Sequence, residues 1–428
     1  MKRIAVIYDK GAASPMDVVA GLGGLGEVVF AVPPSDFNER MLPLLRELGE
    51  VLTIRPEHSD TRDSLEAIRR LQPDAVLTFS ESRLRLTTVL TQALGLPGHT
   101  SATAEALSDK RVQRARLRAA GLAVRTSSIT GAAAGPGSWT HAVAEVGLPA
   151  VLKPTYGEGS RSTYLVTHDR PHPDAVPGML LEEYLQGREM NGHGDYVSVE
   201  SVIARGEIIH LVITGKHALL APFRERGDFW PALLEPGEEQ RILEVTSRAL
   251  RALGVKTGIT HTEIKLTLEG PRIIEVNGRL AGYLNGFAKH TTKTDVVRIA
   301  GIAALGELPA VSTLTVPAGV VFQIFNPAPM FPCRLLSVIG VPELRALPGV
   351  TGYRRLIHPG TQVPGGVMTS LLDIMYGSAS SHTDMLSIGE QAAKLLTFTF
   401  ELPSGGTVDL SAETLLSLGP SVPSARQE

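Results

Sequence analysis

The stretch from Gly258 to Arg279 constrains this chain most, because it combines a strand pattern with regularly spaced charges. Polar and apolar side chains alternate on either side of a turn at Glu269-Gly270-Pro271, so each half predicts a β-strand with one charged face. The polar positions are His261, Glu263, Lys265, Glu275, Asn277 and Arg279.

The predicted pairing brings acidic side chains together. A three-residue turn pairs Leu268 with Arg272, which places Glu263 opposite Asn277 and makes Glu275 its diagonal neighbour, roughly 7–8 Å away. Two carboxylates and an amide oxygen at that range suit hard divalent cations, above all Mg²⁺, and a second ion would lie about 4 Å from the first. An ordinary solvated hairpin face is the alternative, because antiparallel sheets often carry a charged outer face.

The composition is that of a globular protein without a bulk attraction to polyanions. The 428 residues predict about three domains, and 43% hydrophobic residues supply several cores. With 41 basic and 44 acidic residues the net charge is −3, so neither nucleic acid nor an anionic membrane is expected as a partner. A single cysteine, an N-terminal apolar run too short for a signal peptide and the lack of long apolar segments predict a cytoplasmic protein without a membrane span.

Apolar runs alternate with helical patterns over the first hundred residues, which predicts a doubly wound α/β domain. The runs are 3–8, 28–32, 51–54 and 75–79, and the main helical patterns are 36–48 and 60–71. The motif Gly21–Gly26 matches G-x-G-x-x-G, but it begins well after the first predicted strand and precedes a strand. A nicotinamide site is therefore disfavoured.

Two lysines occupy informative positions. Lys110 stands in the first turn of a helix predicted to be capped by Ser108, where a cation opposes the helix dipole and indicates an anion partner. Lys153 ends a strand that leads into a loop with Gly157 and Gly159, whose backbone N–H groups can approach phosphate closely. The alternatives are a solvated basic helix and an exposed hairpin.

The rest of the chain predicts further strands and helices. A strand at 179–185 ends in acids, strands follow at 196–203 and 208–213, and helices follow at 238–253 and 295–305. Residues 216–234 mix aromatic and charged side chains, which favours a substrate-side loop. From about 308, prolines and short β-like runs predict a β-rich region.

The order of these features resembles the ATP-grasp ligases over roughly residues 105–300. The most specific elements are Val-Leu-Lys153-Pro with its glycine loop, Glu182-Glu183-Tyr-Leu, and Glu263 with Glu275-Val-Asn277-Gly-Arg279. Within the superfamily, Glu-Glu-Tyr-Leu-x-Gly and His261-Thr-Glu-Ile-Lys look most like the L-amino-acid (dipeptide) ligases.

The resemblance implies an ATP-grasp fold of mixed α/β and α+β class. It implies an N-terminal doubly wound α/β domain at 1–100 and an ATP-grasp core at 101–306, with a lid subdomain at about 125–190. A β-rich C-terminal domain is expected at 307–418 and a frayed tail at 419–428.

The resemblance also implies binding of ATP with Mg²⁺, or Mn²⁺ in its place. Lys110 and Lys153 would neutralise phosphates under the backbone of Gly157–Ser160. The adenine strand would be Glu182, Glu183, Tyr184 and Leu185, the ribose acid Glu189 or Asp195, and the metal ligands Glu263, Glu275 and Asn277. Arg279 would stabilise the transferring group, and His261 would touch phosphate or substrate or be structural. Candidates for the substrate pocket are Glu225, Arg226, Trp230 and Tyr283.

The implied reaction joins a carboxylate to an amine through an acyl phosphate, with ADP and phosphate released, and its substrates would be amino acids or an amino acid and a small carboxylate. Two alternatives stay open: an ATP-grasp carboxylase or nucleotide-biosynthesis ligase, and a nucleotide-binding scaffold without catalysis. A homodimer is compatible with all of these, and the sequence does not fix the oligomeric state.

Overall fold

The computed structural model describes residues 1–55, 62–122, 124–129, 136–282, 284–314 and 319–419. The described residues form four β-sheets. Within these ranges, no helix combines the length and the apolar character needed to cross a membrane. The predicted frayed tail lies outside the described residues, apart from Gly419.

The N-terminal part is a parallel sheet flanked by helices, as the alternating pattern predicts. Its elements are β1 (Arg3–Ile7), α1 (Pro15–Leu22), β2 (Glu27–Val32), α2 (Asp36–Leu48), β3 (Glu50–Thr53), α3 (Arg62–Arg70), β4 (Ala75–Leu77) and α4 (Leu84–Leu94). The strand order is β3-β2-β1-β4, and a short 3₁₀ turn, Glu81–Arg83, follows β4. The Gly21–Gly26 motif spans the end of α1 and the turn before β2, so it does not form the turn after the first strand.

Two short helices connect this domain to a small antiparallel sheet. They are α5 (Ser101–Ser108) and α6 (Lys110–Ala119). Ser108 therefore ends α5, and Asp109 caps α6 in its place by accepting a hydrogen bond from the backbone N–H of Arg111. The small sheet has the order β5-β8-β6-β7. Its elements are β5 (Thr126–Ser128), α7 (Pro136–Val146), β6 (Ala150–Pro154), β7 (Tyr164–Val166) and β8 (Met179–Glu183).

A sheet of eight strands runs through the rest of the molecule. The elements that precede residue 306 are β9 (His193–Ala204), β10 (Glu207–His217), β11 (Gly227–Trp230), α8 (Glu238–Leu253), β12 (Gly258–Thr267), β13 (Gly270–Asn277), α9 (Leu284–Thr292) and α10 (Val296–Ala304). Lys216 thus belongs to β10 and residues 227–230 form β11, so only part of the predicted substrate-side loop is a loop.

The C-terminal region adds strands to this sheet and forms a second one. Its elements are β14 (Val320–Pro327), β15 (Cys333–Ile339), α11 (Val341–Ala346), β16 (Val350–Arg355), β17 (Gln362–Val363), β18 (Leu371–Ala379), α12 (His382–Leu395), β19 (Thr397–Glu401), β20 (Thr407–Ser411) and α13 (Ala412–Ser417). The large sheet has the order β13-β12-β9-β10-β11-β14-β18-β16, and the last sheet has the order β17-β15-β19-β20.

The hairpin of β12 and β13 forms as expected, but its predicted register is wrong. Thr267 pairs with Gly270, so the turn contains two residues, and Glu263 lies directly opposite Glu275. His261, not Glu263, lies opposite Asn277. The register shifts after Glu263, because a bulge on β13 carries one extra residue.

Helix α8 supports the apolar face of this hairpin. Ile242, Leu250 and Leu253 recur at helical spacing and are fully buried, and they share a core with Ile264 and Val276 of the hairpin. Burial of each such side chain contributes roughly 1.5–3 kcal/mol. The hairpin is therefore anchored through its apolar face, and its charged face lies on the other side of the sheet.

Candidate active site

The acidic face of the hairpin presents two carboxylates at one position of the ladder. Glu263 of β12 and Glu275 of β13 are direct cross-strand partners, so their side chains leave the sheet on the same face. Both side chains are partly exposed, at 22% and 19%. Asn277 lies further along β13 and is buried. We refer to the region between these oxygen-bearing side chains and the loop of Gly157–Ser160 as the cleft, because Lys110 contacts both Glu275 and Gly157.

A buried histidine holds Glu263 from behind. His261 Nδ1 contacts Glu200, which is fully buried on β9, and His261 Nε2 lies 3.2 Å from Glu263 Oε1. Burial opposes a charge on His261, but the charge of Glu200 and its hydrogen bond raise the pKa of His261 to about 9. Burial would raise the pKa of Glu263, but the hydrogen bond and charge of His261 lower it to about 2. Glu263 is therefore an ionised carboxylate.

The two predicted lysines reach the same region. Lys110 Nζ lies 2.9 Å from Glu275 Oε1 and donates a hydrogen bond of 2.7 Å to the carbonyl oxygen of Gly157. Lys153 Nζ lies 2.7 Å from Glu182 Oε2. Burial lowers the pKa of Lys153, although Glu182 opposes this. Two cations at the glycine loop are thus adjacent to the acidic hairpin.

Glu182 has a structural partner that the sequence did not reveal. Arg114 of α6 donates to both carboxylate oxygens of Glu182, at 2.7 and 2.9 Å, and both side chains are buried. Burial would raise the pKa of Glu182, but the charges of Arg114 and Lys153 lower it to about 2. The side chain of Glu182 therefore orients Lys153, while its main chain lies in the predicted adenine strand.

The glycine loop folds over the end of the hairpin. Gly157 and Gly159 have φ of +136° and +63°, and Ser160 also lies in the left-handed region at +53°. Arg279 reaches the loop from the hairpin side, with its Nη2 atom 3.6 Å from Glu158 Oε2. The loop is thus held by contacts from Lys110 and Arg279.

The turn after the N-terminal parallel sheet also contributes to this cleft. Glu81, on the turn after β4, places its Oε2 atom 3.3 Å from Arg279 Nε, but this atom has no aligned hydrogen-bond partner within the described residues. Burial raises the pKa of Glu81 to about 7, although the charge of Arg279 opposes this. Arg279 is therefore flanked by two carboxyl groups, from the turn after β4 and from the glycine loop.

The residues after β8 lie along one edge of the cleft. Tyr184 faces Phe223 at 6.4 Å between ring centroids, and Lys265 Nζ lies 5.8 Å from the Tyr184 centroid. Asp195 forms an ion pair of 2.6 Å with Lys265, whereas Glu189 is exposed. Of the two predicted ribose acids, Asp195 is thus already paired with a cation.

The predicted substrate residues fall in different environments. Burial and the charge of Glu263 raise the pKa of Glu225, although Lys216 opposes this, so Glu225 belongs to the acidic cluster. Arg226 lines a small cavity of about 10 Å³ with Ile324. Trp230 is buried in the core against Phe287, at 6.3 Å between centroids. Tyr283 lies outside the described residues.

Comparisons with known proteins identify the fold that carries this site. No family model matches the chain. The chain is similar to alanine–anticapsin ligase of Bacillus subtilis strain 168, with 28% identity over 255 residues, which cover 54% of this chain and 53% of that protein. It is also similar to carnosine synthase 1 of Gallus gallus, with 27% identity over 61% of this chain and 30% of that protein. The structure of L-amino acid ligase from Bacillus licheniformis superposes with a TM-score of 0.74 at 20% identity, over 92% of this chain and 98% of that one. The chain has the ATP-grasp fold.

The ATP-grasp assignment confirms the predicted fold class and the resemblance that the motifs carried. The chain spans about half the length of the first relative and less than a third of the second, so each match bears on part of that relative only. The cleft lies between the small sheet, with its glycine loop, and the β12–β13 hairpin, which Lys110 and Arg279 connect.

The donor set of this ATP-grasp cleft fits a hard divalent cation. Glu263 and Glu275 offer carboxylate oxygens from opposed positions, and Asn277 offers an amide oxygen. Within the described ranges, no three His, Cys, Asp or Glu side chains gather into a ready-made metal centre. Two carboxylates and an amide leave positions for phosphate and water, which is the coordination that Mg²⁺ prefers.

The groups that sequence reasoning did not assign to this site include Arg114, Glu81, Glu200 and the ion pair of Lys216 with Asp228. A signal existed for Glu81, since it follows β4 at the carboxyl edge of a parallel sheet, where ligands commonly bind. The contact of Glu200 with His261 spans 61 residues, and that of Lys216 with Asp228 depends on the pairing of β10 with β11. Alternation within one strand predicts neither contact.

Proposed function

We propose that this chain is an ATP-dependent carboxylate–amine ligase that forms an amide or peptide bond. The observation that carries the proposal is the direct opposition of Glu263 and Glu275 in a cleft that also receives Lys110 and Lys153. Carboxylates that hold a metal ion and lysines that neutralise phosphate are the parts that phosphoryl transfer needs. The names of the relatives, both of sequence and of fold, support the same chemistry.

The proposed nucleotide site uses groups on both sides of the cleft. Lys110, Lys153 and the backbone of Gly157–Ser160 would neutralise and enclose the phosphates of ATP. The main chain of residues 182–185 would read the adenine edge. Glu189 would hold the ribose, because Asp195 is already neutralised by Lys265.

Glu263, Glu275 and Asn277 would hold Mg²⁺, or Mn²⁺ in its place. The ion supplies charge neutralisation of the β- and γ-phosphates when it is bound. His261 and its partner Glu200 position Glu263 and keep it ionised. His261 would therefore act through Glu263 rather than on the substrate.

The proposed reaction has two steps. A carboxylate oxygen of the first substrate attacks the γ-phosphorus of ATP, the bond to the β-phosphate oxygen breaks, and an acyl phosphate and ADP result. The amine of the second substrate then attacks the acyl carbon, phosphate leaves and the amine loses a proton. Arg279 would stabilise the negative charge that develops on the transferring group. The closed glycine loop would exclude water.

The substrates proposed here are amino acids, or an amino acid and a small carboxylate. Glu225 offers a carboxyl group beside Glu263 for the ammonium or amine of a substrate, and Arg279 offers a cation for a carboxylate. Arg226, Trp230 and Tyr283 stay predictions from the sequence. A homodimer and a cytoplasmic location likewise remain predictions.

A phosphate-release screen tests the proposal. The full-length protein is incubated with ATP, Mg²⁺ and pairs of amino acids, with bicarbonate and ribonucleotide amines as separate arms, and products are identified by mass. We expect phosphate release and an amide product with an amino-acid pair. Glu275→Gln removes one carboxylate and should lower kcat by 100-fold or more, roughly 3 kcal/mol. Product only in the bicarbonate arm, or near-wild-type turnover in the variant, would overturn the assignment.

A further inference from the structure

A segment of the C-terminal region, residues 364–370, lies against the glycine loop. Its ends are fixed to the chain that follows β14. The backbone N–H of Gly366 donates to the carbonyl oxygen of Met330 at 2.8 Å, and the backbone N–H of Ala328 donates to the carbonyl oxygen of Ser370 at 2.7 Å. The residues between these anchors are therefore held as a short, fixed span.

This span makes two main-chain hydrogen bonds with the glycine loop. The backbone N–H of Thr369 donates to the carbonyl oxygen of Gly159 at 2.7 Å, and the backbone N–H of Ser162 donates to the carbonyl oxygen of Val367 at 2.8 Å. Ser160 and Ser162 have φ of +53° and +49°, conformations that non-glycine residues keep only where the surroundings hold them. The position of the loop thus depends on the C-terminal region.

The side chain of Thr369 makes a third contact, on the substrate side of the cleft. Its Oγ1 atom accepts a hydrogen bond of 3.1 Å from the backbone N–H of Glu225. The turn before Glu225 is closed by reciprocal backbone hydrogen bonds between Leu220 and Arg224, at 2.9 and 2.7 Å. Glu225 itself belongs to the carboxyl cluster of Glu263. One residue therefore contacts both the glycine loop and the segment that contains Glu225.

We propose that Thr369 is a positioning residue that couples closure of the glycine loop to placement of the Glu225 segment. The inference rests on the proposed function, since it assigns the loop to ATP and Glu225 to a substrate. A nucleotide under the loop further stabilises the loop and, through the contact that Thr369 already makes, the Glu225 segment, so the acyl phosphate forms beside an ordered amine site. Without the hydroxyl group, water competes for the acyl phosphate and yields the original carboxylate and inorganic phosphate, so ATP is hydrolysed without product.

Hydrogen exchange tests this coupling without any substrate. The probe is a non-hydrolysable ATP analogue with Mg²⁺, and exchange is followed by mass spectrometry in peptides that contain 157–162 and 218–226. In the wild type and in Thr369→Ser, the nucleotide should slow exchange in both peptides. The Thr369→Val variant keeps the backbone N–H but lacks the hydroxyl acceptor. In this variant the nucleotide should slow exchange in the loop peptide only. Equal slowing of both peptides in Thr369→Val would overturn the inference, whereas slowing of neither peptide in the wild type would overturn the proposed nucleotide site.

The second measurement is the amount of ADP released per amide formed, with a substrate pair from the screen. Loss of the acceptor leaves the Glu225 N–H without a hydrogen-bond partner. The free-energy cost corresponds to about a fivefold or larger change in the ratio of ADP to product. We expect Thr369→Val to release about five times more ADP per product, with the wild-type ratio restored in Thr369→Ser. Ser370→Ala is the matched control, because only its main chain contributes to the anchor. An unchanged ratio in Thr369→Val, together with unchanged exchange, would show that Thr369 is structural only.

Discussion

Glu182 and Glu183 are neighbours on β8, yet their ion pairs differ in burial. Glu182 lies between Arg114 and Lys153, with side chains that are at most 9% exposed. Glu183 pairs with Arg125, whose side chain is 61% exposed. Removal of one partner from a buried ion pair leaves an uncompensated charge in a medium of low dielectric constant, whereas solvent screens an exposed pair. The two positions therefore form a matched comparison.

We expect Glu182→Ala to lower the free energy of unfolding by about 3–5 kcal/mol, because it leaves both Arg114 and Lys153 without their counter-charge. Glu183→Ala should lower it by no more than about 1 kcal/mol. Urea unfolding at pH 7 in the absence of nucleotide measures both. Similar losses in the two variants would contradict the assignment of Glu182 as the charge that orients Lys153.

Asp373 is a buried carboxyl group in the C-terminal region. Burial raises the pKa of this carboxyl to about 6, although hydrogen bonds from Tyr353 and Asn326 oppose the shift. The ordinary value is 3.8, so between these two values the folded state binds more protons than the unfolded state. Stability from this group is present at low pH and is lost as the pH rises toward 6.

Asp373→Asn should remove this dependence, because the amide stays neutral. The free energy of unfolding of the wild type, measured relative to the variant, should fall by about 2 kcal/mol between pH 4 and pH 7. Urea unfolding of both proteins across this range measures the difference. A difference that stays constant with pH would show that burial does not raise the pKa of Asp373 in the folded protein.

At the scale of elements, the glycine loop and the hairpin turn contain glycines in similar backbone conformations. Gly157 has φ of +136° and Gly270 has φ of +114°, and at both sites a Cβ atom would meet nothing within 4 Å. The cost of an alanine is therefore one of backbone conformation alone, of the order of 1–3 kcal/mol. Only Gly157 lies beside Lys110 and the proposed phosphate site.

Gly157→Ala and Gly270→Ala should consequently lower the free energy of unfolding by similar amounts but differ in function. We expect Gly157→Ala to raise the KM for ATP several-fold, because the strained loop no longer closes over the phosphates. Gly270→Ala should leave it unchanged. Steady-state kinetics and urea unfolding of both variants are the measurements, and an equal rise of KM in both would place the phosphates elsewhere.

The hairpin shows how far the sequence predicts this site. Alternation along β12 and β13 predicts one charged face, and the structure does bring Glu263 and Glu275 together there. The strand register depends on a two-residue turn and on a bulge near Ile274, and alternation alone predicts neither of them. Adjacent isoleucines at 273 and 274 interrupt the alternation, and this interruption was the available signal for a bulge. The contacts of Thr369 and Glu81 depend on packing between distant segments, which local patterns do not encode.

At the scale of the whole molecule, the large sheet connects regions that the sequence suggested as separate. Strand β11 pairs with β10 on one edge and with β14 on the other, so strands from both sides of residue 306 share one ladder. Phe229 on β11 packs in the core of the C-terminal region with Phe322 and Ile324. The proposed coupling through Thr369 needs this continuity, because it requires the C-terminal region to stay fixed relative to the hairpin.

A chain truncated after residue 306 should therefore lose its cooperative unfolding. It would expose the free edge of β11 and the Phe229 side chain, and exposed edges and apolar surface favour association. A full-length chain with a protease site at Ala310, which is exposed, provides the control. After cleavage both pieces remain present, so we expect them to migrate together on size exclusion and to unfold in one transition. The truncated chain should instead aggregate or unfold without a sharp transition. A truncated chain that stays monomeric and unfolds cooperatively would show that residues 1–306 fold without β14. The C-terminal region would then act as a separate unit.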